Sequence, residues 1–163
     1  WGIVKSALES ALEKCNAFRA EEGETLQKNL ESYIDGIAAG LKEVTARDPE
    51  RIRLIRERIT SNIDEIRDKT QVDQNRFEQE LIYYIEKLDI TEEKVRLARH
   101  LDYFKEVMGA KESEGKKLGF ISQEIGREIN TIGAKANDAV IQRAVVQMKD
   151  DLEKIKEQSM NII

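Results

Sequence analysis

Isoleucines stand at 52, 55, 59, 63 and 66, and again at 121, 125, 129 and 132, always three or four residues apart. That step returns side chains to one face of a 3.6-residue helix and to no single face of a strand, so the pattern calls for amphipathic helices. Little in the chain resists this. Pro49 is its one proline, charged residues make up 36% and aromatics 6%, a balance that suits long helices and not a β-sandwich. At 163 residues and 40% hydrophobic content there is enough apolar surface for a packed core. The expected fold is all-α: a long antiparallel helical arm followed by a helical bundle module.

The same period divides the chain into elements. A first helix over about 2–20 carries Ile3, Val4, Leu8, Leu12, Cys15 and Phe18 on one stripe, and a second over about 23–46 carries Leu26, Leu30, Ile34, Ile37, Leu41 and Val44. Asp48-Pro49 reads as an N-cap followed by a proline at the first helical position, which starts a third helix reaching about residue 68. The segment "DKTQVDQ" is a polar turn, and these three helices make an arm over 1–70. The C-terminal domain, 71–163, holds a fourth helix over about 74–88, a fifth from a Thr91 cap to Met108, a sixth beginning at Gly115 after the loop "GAKESEG", and a seventh capped by Asn137 or Asp138 and reaching about Asn161.

Charge is uneven. Residues 91–163 carry equal numbers of basic and acidic side chains, so the net charge of −5 resides in 1–90. Cys15, the single cysteine, sits on an apolar stripe as a small buried hydrophobe, and a lone thiol suits a reducing cytoplasm. The sequence shows no signal-peptide pattern and no apolar run of transmembrane length, so the expectation is either a soluble cytoplasmic protein with no membrane partner or a targeting signal that lies outside this chain. The chain opens at Trp1 inside a helical pattern, as the C-terminal piece of a longer protein would.

The densest chemistry lies in "GKKLGFISQEIGREINTIGAKAND", residues 115–138. On a helical wheel Leu118, Ile121, Ile125, Ile129 and Ile132 form the buried arc. Glu124, Arg127, Glu128, Thr131 and Lys135 fall on a second arc, with Gln123 and Asn130 beside it. Glu124 and Glu128 stand one turn apart, where a divalent cation can bridge them. With Arg127 and Lys135 to hold a phosphate, this is a set of groups for metal-assisted phosphodiester cleavage; a solvated face laced with ion pairs has the same spacing. Gly119, Gly126 and Gly133 recur every seven residues and point to a close-packed neighbouring helix, the alternative being a close backbone approach by a ligand. On the fifth helix Arg96, His100 and Tyr103 project together. His100, the only histidine, can act as acid or base, as a metal ligand, as a phosphate contact, or as an ordinary core-edge residue.

Other machineries lack their residues. The chain has no cysteine pair for zinc, no Glu-x-x-His motif, no dinucleotide fingerprint, no nucleophile elbow and no complete phosphate loop, so no small-molecule cofactor is expected.

The stretch "GKKLGFISQEIGREINTIGAKANDAVIQ", followed by "VVQMKDDLEKIKEQSMNI", resembles the C-terminal signature of the YicC/YloC family of bacterial endoribonucleases. Upstream, "FRAEEGETL", "NRFEQEL" and "DITEEKVRLARHLDYF" are similar to the family's connecting helices, in the same order. The resemblance implies a cytoplasmic enzyme that cuts RNA with Mn²⁺ or Mg²⁺ and assembles as a homohexamer. The matching positions are Gln123, Glu124, Arg127, Glu128, Asn130, Thr131 and Lys135, with Arg96, His100, Arg76, Glu80, Arg19, Glu22 and Gly23. Gly119 and Gly126 depart from the family's usual polar residues, and the family's N-terminal α/β half has no counterpart here. The combined expectation places the metal on Glu124 and Glu128. His100, Arg127 and Glu128 are the catalytic candidates, and Arg96, Arg127, Lys135, Gln123, Asn130 and Arg76 the RNA contacts. The competing expectation is a non-catalytic helical scaffold whose polar faces serve assembly.

Overall fold

A computed structural model describes residues 1–67, 74–110 and 114–160, with only the backbone of 63–67 and 74. The described residues form five helices: α1 (Gly2–Arg67), α2 (Gln74–Lys87), α3 (Thr91–Met108), α4 (Gly115–Lys135) and α5 (Ala139–Ser159). No strand occurs among them, as the apolar spacing requires. The expected turn at 68–73 and part of the 109–115 loop lie outside the described residues.

The arm differs from the sequence reading. In place of three antiparallel helices there is one, 66 residues long and, at 1.5 Å per residue, about 100 Å from end to end. Pro49 lies inside it. The reason is visible at the residue before. Asp48 does not cap a new helix; its Oδ1 accepts from Nε and Nη2 of Arg51 at 2.9 and 2.7 Å, and its Oδ2 accepts from Lys94 Nζ at 2.7 Å. Arg51, only 1% exposed, also donates to the Leu88 carbonyl at 2.9 Å. This buried cluster ties the helix on either side of Pro49 to the start of α3.

Residues 30–51 of α1 join α3, α4 and α5 in a four-helix bundle. Each helix packs on two neighbours, α1 on α3 and α5, α4 on α3 and α5. Side-chain pairs fix the directions: Asp35 with Lys105 and Asp48 with Lys94 set α1 antiparallel to α3, and Glu93 with Lys135 sets α3 antiparallel to α4. The core is aliphatic, with Ile34, Ile37, Val44, Leu97, Phe104, Ile125, Ile129, Ile132, Ile141 and Met148 among its fully buried members. Glycines allow the closest approaches. A Cβ at Gly40 would lie 2.5 Å from Met148 Cγ, and one at Gly126 or Gly133 would lie 3.0 Å from Leu152 or Val145. The close-packing expectation therefore holds at Gly126 and Gly133, but a Cβ at Gly119 would meet open space.

Two caps are settled by geometry. Asp138 accepts from the backbone N–H groups of Val140 and Ile141 at the start of α5, as one of the two expected caps. Its Oδ2 also accepts from Arg47, which pins α5 to α1 and holds the Asp138 carboxyl below its ordinary value. At α3 the expected Thr91 cap is not formed: the N-cap residue is Ile90, which makes no side-chain capping bond, and the side-chain bonds at this terminus come from the residue before it. Asp89 Oδ1 accepts from both the backbone N–H and the hydroxyl of Thr91, and these bonds depress the Asp89 pKa.

The N-terminal part of α1 leaves the bundle. Trp1, Ile3, Val4, Leu8, Leu12 and Phe18 are exposed, and so is Cys15, which corrects the expectation of a buried thiol: no neighbouring helix covers that stripe. Among the described residues, no helix is long and apolar enough to cross a membrane.

Candidate nucleic-acid site on the α3–α4 seam

The chemistry-bearing residues of α3 and α4 converge because the two helices pack side by side in opposite directions. Three contacts mark the register. Lys135 Nζ donates to Glu93 Oε1 at 2.7 Å, Arg96 Nη1 lies 3.9 Å from Glu128 Oε1, and Lys117 sits over the Tyr103 ring at 5.6 Å. His100, one turn beyond Arg96 and half-buried, lies along the same seam. Side chains fourteen to forty-two residues apart in sequence thus share one strip of surface.

Within that strip the two carboxylates of α4 have different surroundings. Glu124 is half-exposed and faces Arg127 at 3.9 Å. Glu128 is 4% exposed, because the wheel sector that looked solvated is covered by α3, and its ion pair is with Arg96. Arg96 also bonds to Glu92. Arg127 is the most open cation of the set, its side chain 75% exposed, with Gln123 and Asn130 exposed beside it. The Thr131 hydroxyl folds back on its own helix and donates to the Arg127 carbonyl. Arg76 is exposed but belongs to α2, which packs chiefly against α1, so the fold does not gather it into the seam.

At the far end of the strip Lys135 is held twice, by Glu93 and by the Asp89 carbonyl at 3.0 Å. Glu93 is a residue that sequence alone does not single out. The signal that could have found it is the antiparallel register, which a single sequence does not print. It is buried, and its Oε2 has no hydrogen-bond partner among the described residues.

A divalent cation would find oxygen donors here but no finished cage. Among the described residues, no group of three histidine, cysteine, aspartate or glutamate side chains is placed to hold one. Two carboxylates on successive turns, completed by water and phosphate oxygens, are nevertheless a donor set compatible with Mg²⁺, which keeps several waters and seldom occupies an all-protein cage.

Comparison with known proteins decides the family. The model of the endoribonuclease YicC-like C-terminal family matches residues 44–163. The chain belongs to that family. The YicC-like match takes in the whole α3–α4 seam and begins within the part of α1 that packs in the bundle. Two curated relatives, each named "Probable endoribonuclease YicC", extend the similarity along nearly all of the chain. One, from Clostridioides difficile (strain 630), is 36% identical over 163 residues, covering 99% of this chain and 56% of the relative. The other, from Haemophilus influenzae (strain ATCC 51907 / DSM 11121 / KW20 / Rd), is 30% identical over 157 residues, 96% of this chain and 54% of the relative. The YicC-like chain therefore spans about half the length of the curated relatives it matches.

Proposed function

We propose that this chain is the helical part of a cytoplasmic, divalent-metal-dependent endoribonuclease that cleaves RNA phosphodiester bonds and works as a homo-oligomer, a hexamer by family resemblance. The observation that supports the reading is the convergence on one seam of Arg96 and His100 from α3 with Glu124, Arg127, Glu128 and Lys135 from α4, in a chain of YicC-like endoribonuclease descent. Arg127 and Lys135 engage backbone phosphates, Arg127 as an exposed fork and Lys135 as a held point charge. Gln123 and Asn130 hydrogen-bond sugar or phosphate oxygens beside Arg127. His100 holds or delivers the proton at the leaving oxygen. Glu124 and Glu128 hold Mn²⁺ or Mg²⁺, which when bound polarises the phosphate and acidifies a water. An assembly would cover the exposed stripe from Trp1 to Phe18.

One observation favours the scaffold alternative: Glu128 is buried against Arg96, where a purely structural ion pair also sits. Cleavage of a labelled single-stranded RNA in Mn²⁺ or in EDTA, by the chain and by Glu128→Gln, separates the two. Metal-dependent cutting abolished by the substitution, with melting unchanged, supports the enzyme. Loss of stability without cutting by either protein supports the scaffold.

A further inference from the structure

Lys135 and Glu93 form a pair whose geometry is unlike an ordinary surface salt bridge. Lys135 is the last residue of α4, and its ammonium carries three protons. One goes to Glu93 Oε1 at 2.7 Å and one to the Asp89 carbonyl at 3.0 Å. The third meets no acceptor among the described residues, and the side chain remains about one-third exposed. The ammonium is therefore fixed at the protein surface with a single donor left over. Glu93 is 6% exposed, and its second oxygen is buried without a partner among the described residues. A buried carboxylate with an unused acceptor is a costly way to join two helices, and neutral residues of similar volume often replace such pairs without loss. Arg127, by contrast, has a 3.9 Å pairing and most of its side chain in solvent; it must be ordered when it binds.

We propose that Glu93 is a positioning residue: it holds the Lys135 ammonium in place so that its remaining proton meets an RNA phosphate without first losing side-chain freedom. The inference rests on the RNA-binding reading above and deepens it. It also runs against simple charge counting, because Glu93 is an anion beside a polyanion's site. If net charge alone mattered, removing Glu93 would tighten RNA binding.

That opposition of sign is the test. A labelled single-stranded RNA is titrated, in EDTA and at two salt concentrations, with the chain and with Glu93→Gln, Glu93→Asp, Lys135→Met and the Glu93→Gln/Lys135→Met double variant. Glu93→Gln is expected to bind about five- to tenfold more weakly although it loses a negative charge. Glu93→Asp, which withdraws the carboxylate by one methylene at constant charge, weakens binding in the same direction and carries the test where the glutamine variant does not fold. On the Lys135→Met background, Glu93→Gln no longer weakens binding. Folded Glu93 variants that bind as tightly as the parent or tighter, or an equal loss without Lys135, overturn the positioning role while leaving RNA binding intact. Absence of salt-sensitive binding by the unsubstituted chain overturns the RNA reading itself, and this role with it.

Discussion

At the residue scale, small side chains and caps decide more than their size suggests. The glycines separate cleanly by what a methyl group would meet. Gly119→Ala adds its Cβ to open space and removes the helix-interior cost of glycine, so it should stabilise the fold by about 1 kcal/mol. Gly40→Ala drives a Cβ to 2.5 Å from Met148 Cγ, against an atom in mid-chain that cannot swing clear without moving the α1–α5 contact, and should lower stability by about 1–3 kcal/mol. Urea denaturation of the pair checks both signs. Asp138 makes a pH prediction. Its folded pKa lies below the ordinary value of about 3.9, chiefly through the Arg47 hydrogen bond. The folded state thus binds fewer protons than the unfolded one in that interval, and its contribution is present above about pH 4 and lost as pH falls through the folded pKa. Asp138→Asn keeps a competent cap but gives up the ion pair, so it should flatten the acid limb of stability. Asp138→Ala should cost about 1 kcal/mol more at neutral pH by losing the cap as well. Asp138 was legible because a cap is a local signal. The burial of Glu128 was not, because it depends on α3 lying over a sector that a wheel of α4 alone leaves open.

At the element scale, the break read at Asp48-Pro49 shows how a sound local rule is overridden. Asp before Pro is a good helix start, yet the competing use of Asp48, shared by Arg51 and Lys94, exists only in the folded bundle. Pro49 then sits in a helix interior, where it gives up the hydrogen bond to the carbonyl four residues earlier. Pro49→Ala should restore that bond and raise stability by about 1–3 kcal/mol. Asp48→Asn should do the reverse. It leaves Arg51, 1% exposed, and Lys94 without their shared counter-charge, and a buried pair broken on one side costs about 3 kcal/mol or more. Thermal melts of the two variants moving in opposite directions would bear this out; a destabilising Pro49→Ala would mean that the backbone geometry proline imposes is what brings Arg51 to the Leu88 carbonyl.

At the scale of the whole molecule, the bundle and the free end of α1 obey different energetics. The bundle is held by a continuous aliphatic core to which the isoleucine row at 121–132 belongs, whereas Ile52, Ile55 and Ile59 of the other row are only half-buried and lie outside it; α2 through α5 fall close to where the apolar period put them. The free end has an equally regular stripe, and for that reason the sequence suggested a buried Cys15. Periodicity reports that a face is apolar and says nothing about which neighbour covers it. Residues 1–25 are all exposed, Trp1 at 95%, and the first core residue of α1 is Leu30. A segment that packs on nothing among the described residues adds no tertiary stabilisation, and tertiary packing is where most helical stability in proteins comes from. Deleting residues 1–24 should therefore leave the melting temperature of the bundle unchanged within about 2 °C, because none of the apolar surface buried in the core is lost. Circular dichroism melts of the full and shortened chains at low concentration make the comparison. A large drop at every concentration would show that the stripe folds back onto the bundle. A drop that appears only as the full-length chain is concentrated would instead trace its extra stability to association through that stripe, since self-association alone makes the melting temperature depend on concentration.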